Sequence, residues 1–352
     1  MSTPSTERAH AFLAPSLAPL YIHCAAAPMM NKRFPQGETD ATREGTAAHW
    51  VALEAPDTVA AGDVAPNGEI VTAEMIDGRA LLRSVLLKGA HIEKRVGDPE
   101  SDTWGTPDAW LYDGGTRVLW SYKFGHAPVY AFENWQEVAY LWLMSEVFRF
   151  KIIVVQPRCY SKPPIDIWEG DLAELTPLWS RLEAAQDAAR APNPVATPGP
   201  HCLRRHCAGR HTCKALQESA YHSASIPMDN AVNELTPEAL GRELLVLTEA
   251  QDLLQARIDG MKAYAEVLAG KGTQVAGWQM GRTRGATKWA VPVEDVIKWG
   301  DALGVNLRKP QDVVTPKQAK LPPDVMKALS KEIPGSPVLE RVNLIDAQRR
   351  LK

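Results

Sequence analysis

No apolar run in this sequence approaches the roughly 20 residues that a bilayer-spanning helix needs, so no segment reads as a membrane span. The opening residues, MSTPSTERAHAFLAPS, lack the charged-then-apolar order of a secretory leader, and the expected location is the cytoplasm. Charge of one sign is not in excess either. With 39 Lys+Arg against 42 Asp+Glu the net charge is -3, so any nucleic-acid surface has to be a local patch rather than a global field. Cysteine is scarce and odd in number, at positions 24, 159, 202, 207 and 213. In a reducing compartment the clustered ones point to metal ligation and not to disulfides. No internal repeat is visible. What remains is ordinary for a soluble globular protein: 352 residues, 45% hydrophobic and 23% charged, enough for one large domain with an appendage or for two domains.

Along the chain, ATREGTAAHWVALE (41–54) reads as a helix carrying His49, and residues 72–89 as a second helix with apolar positions at Met75, Ile76, Leu81, Leu82, Val85 and Leu86. Ile92 to Val96 is expected to be a strand. The stretch WGTPDAWLYDGGTRVLWSYKFGH then predicts a β-hairpin, because Asp113-Gly114-Gly115 is a turn requiring positive φ. A helix is expected over Phe132–Phe148 and a buried strand over KIIVVQPR (151–158). An amphipathic helix follows over 171–191, ending at APNPVATPGP, where the prolines forbid continuation. Residues 218–234 read as linker. Thr236-Pro237-Glu238 starts a long helix with one apolar stripe from Leu240 to Leu268, closed by Gly270 and Gly272. Residues 275–280 and 286–291 are expected to pair as a hairpin across GRTRG, before a short helix over 293–303. The resulting division is a domain over 1–228 and an extension over 229–352.

Side chains alternate along a strand, so Ser121 and Lys123 share a face beside Asp108. An acid, a helical histidine and a lysine suit hydrolysis of phosphodiesters. Asp108 offers a hard oxygen ligand for Mg²⁺ or Mn²⁺, His49 a nitrogen that favours Mn²⁺, and Lys123 a cation to orient the attacking water. Taken singly, each reads as well as a strand cap, a helix-surface histidine or an exposed lysine. Glu93 is a further acid near the hairpin. Gln136 and Tyr140, four apart, lie on one face of their helix. Cys24 stands alone, whereas Cys202, Cys207 and Cys213 cluster at a spacing unlike the CxxC of zinc ribbons, although His201, His206 and His211 keep zinc open. Cys159 reads as a core thiol. Arg204, Arg205, His206, Arg210, His211 and Lys214, with Arg282, Arg284 and Lys288, are the best local basic patches, suited equally to phosphate contact and to a solvated loop.

The order GTAAHW, GTPDAWLYDGG, VLWSYKFGH, WQEVAYLW resembles the RecB-type branch of the PD-(D/E)xK nuclease superfamily, and most closely its cysteine-bearing phage and prophage members. The resemblance covers roughly residues 20–220. It implies an α/β fold of the restriction-endonuclease-like kind, a central mixed sheet flanked by helices, with a helical C-terminal extension. It implies a metal site at His49, Asp108, position 121 and the backbone carbonyl of Tyr122, with Lys123 catalytic and Gln136 and Tyr140 positioning DNA. It further implies a [4Fe-4S] cluster on Cys24, Cys202, Cys207 and Cys213, with zinc as the alternative. The expected function is a metal-dependent DNA exonuclease of phage recombination or processing. Its partners would be DNA, a single-strand annealing or recombination protein, and further copies of the chain.

One position departs from the pattern. Where the family carries aspartate or glutamate, this chain has Ser121, which brings no charge to a cation. Three readings follow: an introduced inactivating change, a degenerate member that binds DNA without cutting, or compensation by Glu93 or Glu137.

Overall fold

In the computed structural model the described residues are 11–341, apart from 36, 145–146, 225–235, 283–285, 310–311, 314, 317, 320 and 334–336. The chain divides into two compact units, Met1–Gly260 and Met261–Lys352.

The first unit is α/β. Helices α1 (Ala18–Tyr21), α2 (Ala27–Arg33), α3 (Asp40–Leu53) and α4 (Ala73–Val85) lead into strands β1 (His91–Ile92), β2 (Ala109–Asp113) and β3 (Thr116–Tyr122). Helix α5 (Trp135–Leu143) crosses over to β4 (Arg149–Val155), followed by β5 (Ile165–Asp171) and α6 (Leu172–Arg190). The five strands form one mixed sheet in the order β1-β2-β3-β4-β5. Only β3 and β4 run parallel, as their helical crossover demands. The hairpin turns as expected, with Gly114 and Gly115 at φ of 53° and 87°.

Period-two alternation sorts the side chains of β3 and β4 onto two faces. Val118, Trp120, Tyr122, Ile153 and Val155 pack under α3 and α4 through Ala48, Val51, Met75 and Leu82. Leu119, Phe150, Ile152, Val154 and Trp168 pack under α5 and α6 through Val138, Leu141, Leu175 and Leu178. Ser121 and Lys123 belong to this second face, so α5 decides what they meet.

Thr39 and Thr42 form a reciprocal capping box at the start of α3, and the Thr72 hydroxyl accepts from Met75 N at the start of α4. Gly78 in α4 lets the Tyr122 hydroxyl lie against the helix backbone, and a Cβ there would drive into that oxygen. Gly78→Ala is therefore expected to lower stability by about 1–3 kcal/mol by overpacking, despite a helix-propensity gain of ~1 kcal/mol. Urea unfolding reads this directly, and a raised midpoint would show that the site has room.

Several element boundaries differ from expectation. Helix α5 is shorter than 132–148, because the Asn134 side chain caps Gln136 N and fixes the start there. The strand expected over 92–96 is confined to β1, with Val96 making a lone bridge to Gly105. Residues 218–234 are not simply linker: α7 (His201–Arg204) and α8 (Lys214–Ala224) follow α6, and only 225–235 lies outside the described residues. Helix α9 (Pro237–Gly270) matches the long apolar stripe and extends into the second unit.

The second unit holds β6 (Trp278–Arg282), β7 (Ala286–Trp289), α10 (Val293–Ala302), β8 (Arg308–Lys309), β9 (Asp312–Val313), α11 (Pro323–Leu329), β10 (Ser330–Ile333) and β11 (Pro337–Arg341). Among the described residues β6 and β7 do not pair with each other as expected: β6 pairs with β11 and β7 with β10, both antiparallel. Strands from the end of the chain satisfy both ladders, a long-range pairing that local turn chemistry cannot show.

Candidate active site

The small residues before His49 let α3 approach the sheet closely. Ala47 and Ala48 are buried, and the His49 ring stands edge-on to Tyr122 at 5.4 Å. His49 Nδ1 then lies 3.6 Å from Asp108 Oδ1. The other oxygen, Asp108 Oδ2, accepts from the backbone N–H of Tyr122 at 2.6 Å, which fixes the carboxylate just before β2. Glu93 follows β1 with φ of 48°, a left-handed conformation that costs a non-glycine residue and turns it off the strand; its N–H donates to the Asp108 carbonyl at 3.1 Å. His49, Glu93 and Asp108 each offer a ligand atom within 4.8 Å of the others. Among the described residues this is the one such group of three.

Across the sheet edge, Ser121 is buried, and its side chain bears on the carboxyl of Glu137, on the first turn of α5. Glu137 is 1% exposed, and its Oε1 is buried with no hydrogen-bond partner. Burial pushes the Glu137 carboxyl up to about 7, helped by the negative charge of Asp108 and opposed by the Lys123 ammonium and the Ser121 hydroxyl. A buried carboxylate oxygen without a partner costs free energy that a cation would offset. His49, Glu93 and Asp108 fit a divalent ion, two carboxylates and one imidazole, all hard or borderline donors, and Glu137 lies outside that close group.

The raised Glu137 carboxyl sets a pH dependence. Between the ordinary 4.5 and about 7 the unfolded chain releases a proton that the metal-free fold retains, so stability falls as pH rises through that window. Relative to Glu137→Gln, metal-free protein is expected to lose on the order of 3 kcal/mol from pH 4.5 to above 7. Thermal unfolding in chelator at several pH values measures the difference, and parallel curves for the two proteins would contradict it.

The resemblance-derived positioning pair has an internal task. Gln136 Oε1 accepts from Lys123 Nζ at 3.3 Å, holding the ammonium beside Glu137. Tyr140 is 5% exposed and donates to the Thr106 carbonyl at 3.0 Å; burial raises its phenol well above the usual range. Residue Lys123 itself is anchored by its N–H to the Val155 carbonyl at 2.9 Å. Tyr122 enters the site through its backbone, while its side chain is core and its buried hydroxyl has no partner.

The cysteines form a second centre in the same unit. Cys24 lies between α1 and α2, Cys202 on α7, Cys207 after it and Cys213 just before α8, and all four line one small cavity with Met30 and His201. Burial pushes the thiols of Cys24, Cys202 and Cys207 upward, Cys202 to about 11, and each is raised further by the charge of Cys213. The backbone at Thr197, Ala26, Gly199 and Gly209 works against that rise and favours the thiolates. Four soft donors without a carboxylate suit iron–sulfur or zinc. A single tetrahedral zinc holds its sulfurs about 3.8 Å apart. No three of these thiols lie within 4.8 Å of one another. His201 Nε2, 3.7 Å from Cys202 Sγ, is the donor that a zinc arrangement would recruit. Cys159 lies apart, against the Ser161 hydroxyl at 3.3 Å.

The basic residues near the cysteines are partly engaged: Arg204 pairs with Asp252 at 3.2 Å and Lys214 with Glu218 at 3.5 Å. Arg284 and the side chains of Arg282 and Lys288 lie outside the described residues. No helix among the described residues is long and apolar enough to cross a membrane.

A family model described as "Protein of unknown function (DUF2800)" matches residues 88–321, two thirds of the chain. The chain belongs to the DUF2800 family. The matched stretch contains Glu93, Asp108, Ser121, Lys123, Glu137 and the three clustered cysteines, whereas His49 and Cys24 precede it. No curated protein matches this DUF2800 chain. Among solved structures, "Crystal structure of SSO0001" is similar at 13% identity with a TM-score of 0.31, over 61% of this chain and 90% of that one, a likeness too low to carry an argument.

Proposed function

We propose that this DUF2800 protein is a metal-dependent DNA nuclease, an exonuclease on the PD-(D/E)xK plan. The observation that carries the reading is Glu137. Its carboxyl comes from α5 instead of β3, is buried, and feels the Lys123 and Asp108 charges and the Ser121 side chain, so in this reading the charge missing at position 121 is supplied from the neighbouring element. The serine thus becomes a support for a carboxylate and not a hole in the site.

His49, Glu93 and Asp108, with the Tyr122 carbonyl between Ser121 and Lys123, are the groups that would hold Mg²⁺ or Mn²⁺, and Glu137 would add a buried negative charge behind them. When bound, such an ion supplies Lewis acidity at the scissile phosphate and lowers the pKa of the attacking water. Lys123, steadied by Gln136, orients the water and neutralises charge developing on the phosphate. Tyr140 and Thr106 fix α5 against the segment carrying Asp108, which sets the distance between the two carboxylates. Cys24, Cys202, Cys207 and Cys213 hold a [4Fe-4S] cluster that closes the chain around this site. Recombination or DNA processing, with an annealing protein and further copies of the chain as partners, fits that activity.

Purified protein given Mn²⁺ and labelled DNA tests the reading: linear molecules are degraded and closed circles are spared. A protein that binds DNA yet cuts neither would be the non-catalytic alternative. The serine offers a finer test. Ser121→Ala is expected to lower the rate only ~10-fold by loosening Glu137, and Ser121→Asp to give no gain, because two carboxylates then crowd one place. A large activation by Ser121→Asp would refute the compensating role of Glu137.

A further inference from the structure

We propose that the loop between Lys123 and α5 is a stacking platform for unpaired nucleobases, so that the strand to be cut reaches the site single-stranded. The placement beside a cleavage site rests on the nuclease reading, whereas the binding itself does not.

Large rings on a loop ordinarily serve as its anchors and are buried. Here they are displayed: Tyr130 is 54% exposed, Phe132 65%, and Tyr160 on the adjoining loop 84%. The backbone beneath is held by other means. Gln156, fully buried at the end of β4, accepts from Val129 N at 2.9 Å and donates to the carbonyls of Gly125 and Ala127 at 2.8 and 2.7 Å. The Asp166 carboxylate on β5 accepts from Ala131 N at 2.7 Å, so the buried residue between the two exposed rings is pinned to the sheet. His126 Nδ1 and the Arg158 carbonyl, 3.1 Å apart, tie this loop to the one bearing Tyr160. Three side chains and their hydrogen bonds thus fix a loop whose rings contribute little to its own burial. Such a surface is preorganised for a ligand with flat apolar faces.

Its position and charge narrow the ligand. In the sheet register Ser121 lies opposite Val154, and Val154 opposite Asp166, all on the face that α5 covers. Two strand spacings separate Asp166 from Ser121, about 10 Å, or roughly three base steps of ~3.4 Å. Lys162 Nζ sits 5.9 Å from the Tyr130 ring centroid, a cation beside an aromatic face, and Phe132 is braced edge-on by Trp168 at 5.3 Å. Aromatic faces interleaved with a lysine, adjoining a phosphodiester site, suit bases stacked on rings with the phosphate backbone alongside. Bases inside a duplex have both faces covered by neighbours and cannot stack on a lateral loop. The occupant is therefore an unpaired strand.

The test measures binding of fluorescent oligothymidylate and of a blunt duplex to the full chain in Ca²⁺, for wild-type protein, a Tyr130→Ala/Phe132→Ala double variant and a Tyr130→Trp/Phe132→Trp variant. Exposed positions leave the fold intact, which circular dichroism checks. The alanine pair is expected to weaken single-strand binding at least tenfold while duplex binding changes less than twofold, and the tryptophan pair to stay within threefold of wild type. Unchanged single-strand affinity, or equal losses on both DNAs, overturns the platform. Ring-dependent binding in a protein that cuts no DNA supports the platform and instead removes the nuclease reading.

Discussion

Glu137→Gln lowers the rate of DNA cleavage ~10²–10³-fold, with a fold at least as stable as wild type in the absence of metal. The two halves of this expectation have one cause. Glu137 is buried near Ser121, and its Oε1 has no hydrogen-bond partner. As a carboxylate it is a cost to the empty fold and a compensating charge to the loaded one. Glutamine keeps the shape and a hydrogen-bonding oxygen for Ser121 but removes the charge that draws a cation in. Steady-state cleavage and chelator-treated unfolding on the same preparation check both halves. A glutamine variant that cuts at the wild-type rate would place the catalytic carboxylate elsewhere.

Cys24→Ser has the second large effect. Cys24 is the donor that joins the N-terminal helices to the segment carrying Cys202, Cys207 and Cys213, since the cavity is lined from both ends of this unit. A cluster bridging residues 24 and 202 closes a loop of nearly 180 residues, and losing that closure costs about 5 kcal/mol by chain entropy. Iron and sulfide are expected to fall from roughly four of each per chain towards zero, with a matching fall in unfolding temperature. Cys159→Ser is the control, because that thiol lies outside the cavity and should leave both quantities unchanged. Full metal content in Cys24→Ser would show that the remaining residues hold the group without it.

How much of this could be read from the residues varies with the range of the interaction. The hairpin was legible because Gly114 and Gly115 carry a local signal, and the faces of β3 because alternation is local too. His49 and Asp108 were legible as a pair by their order in the chain. Glu93 was visible as an acid, but not that its left-handed backbone would turn it out of the strand beside Asp108. Glu137 was one of two candidates to replace the absent carboxylate. That Glu93 joins His49 and Asp108 while Glu137 lies buried on the crossover helix near Ser121 is a tertiary fact that no helical period contains. The same limit explains β6 and β7, whose partners lie some fifty residues onward. It also explains Tyr140: a spacing of four puts it beside Gln136, while only the packed fold shows its hydroxyl given to Thr106.

The most direct measurement is release of nucleotides from labelled linear DNA by the unaltered, Ser121-bearing protein as Mn²⁺ is added. The account predicts degradation that rises with Mn²⁺ and stops with chelator. Intact DNA at saturating Mn²⁺, from protein that is folded and carries its full complement of iron and sulfide, would contradict it.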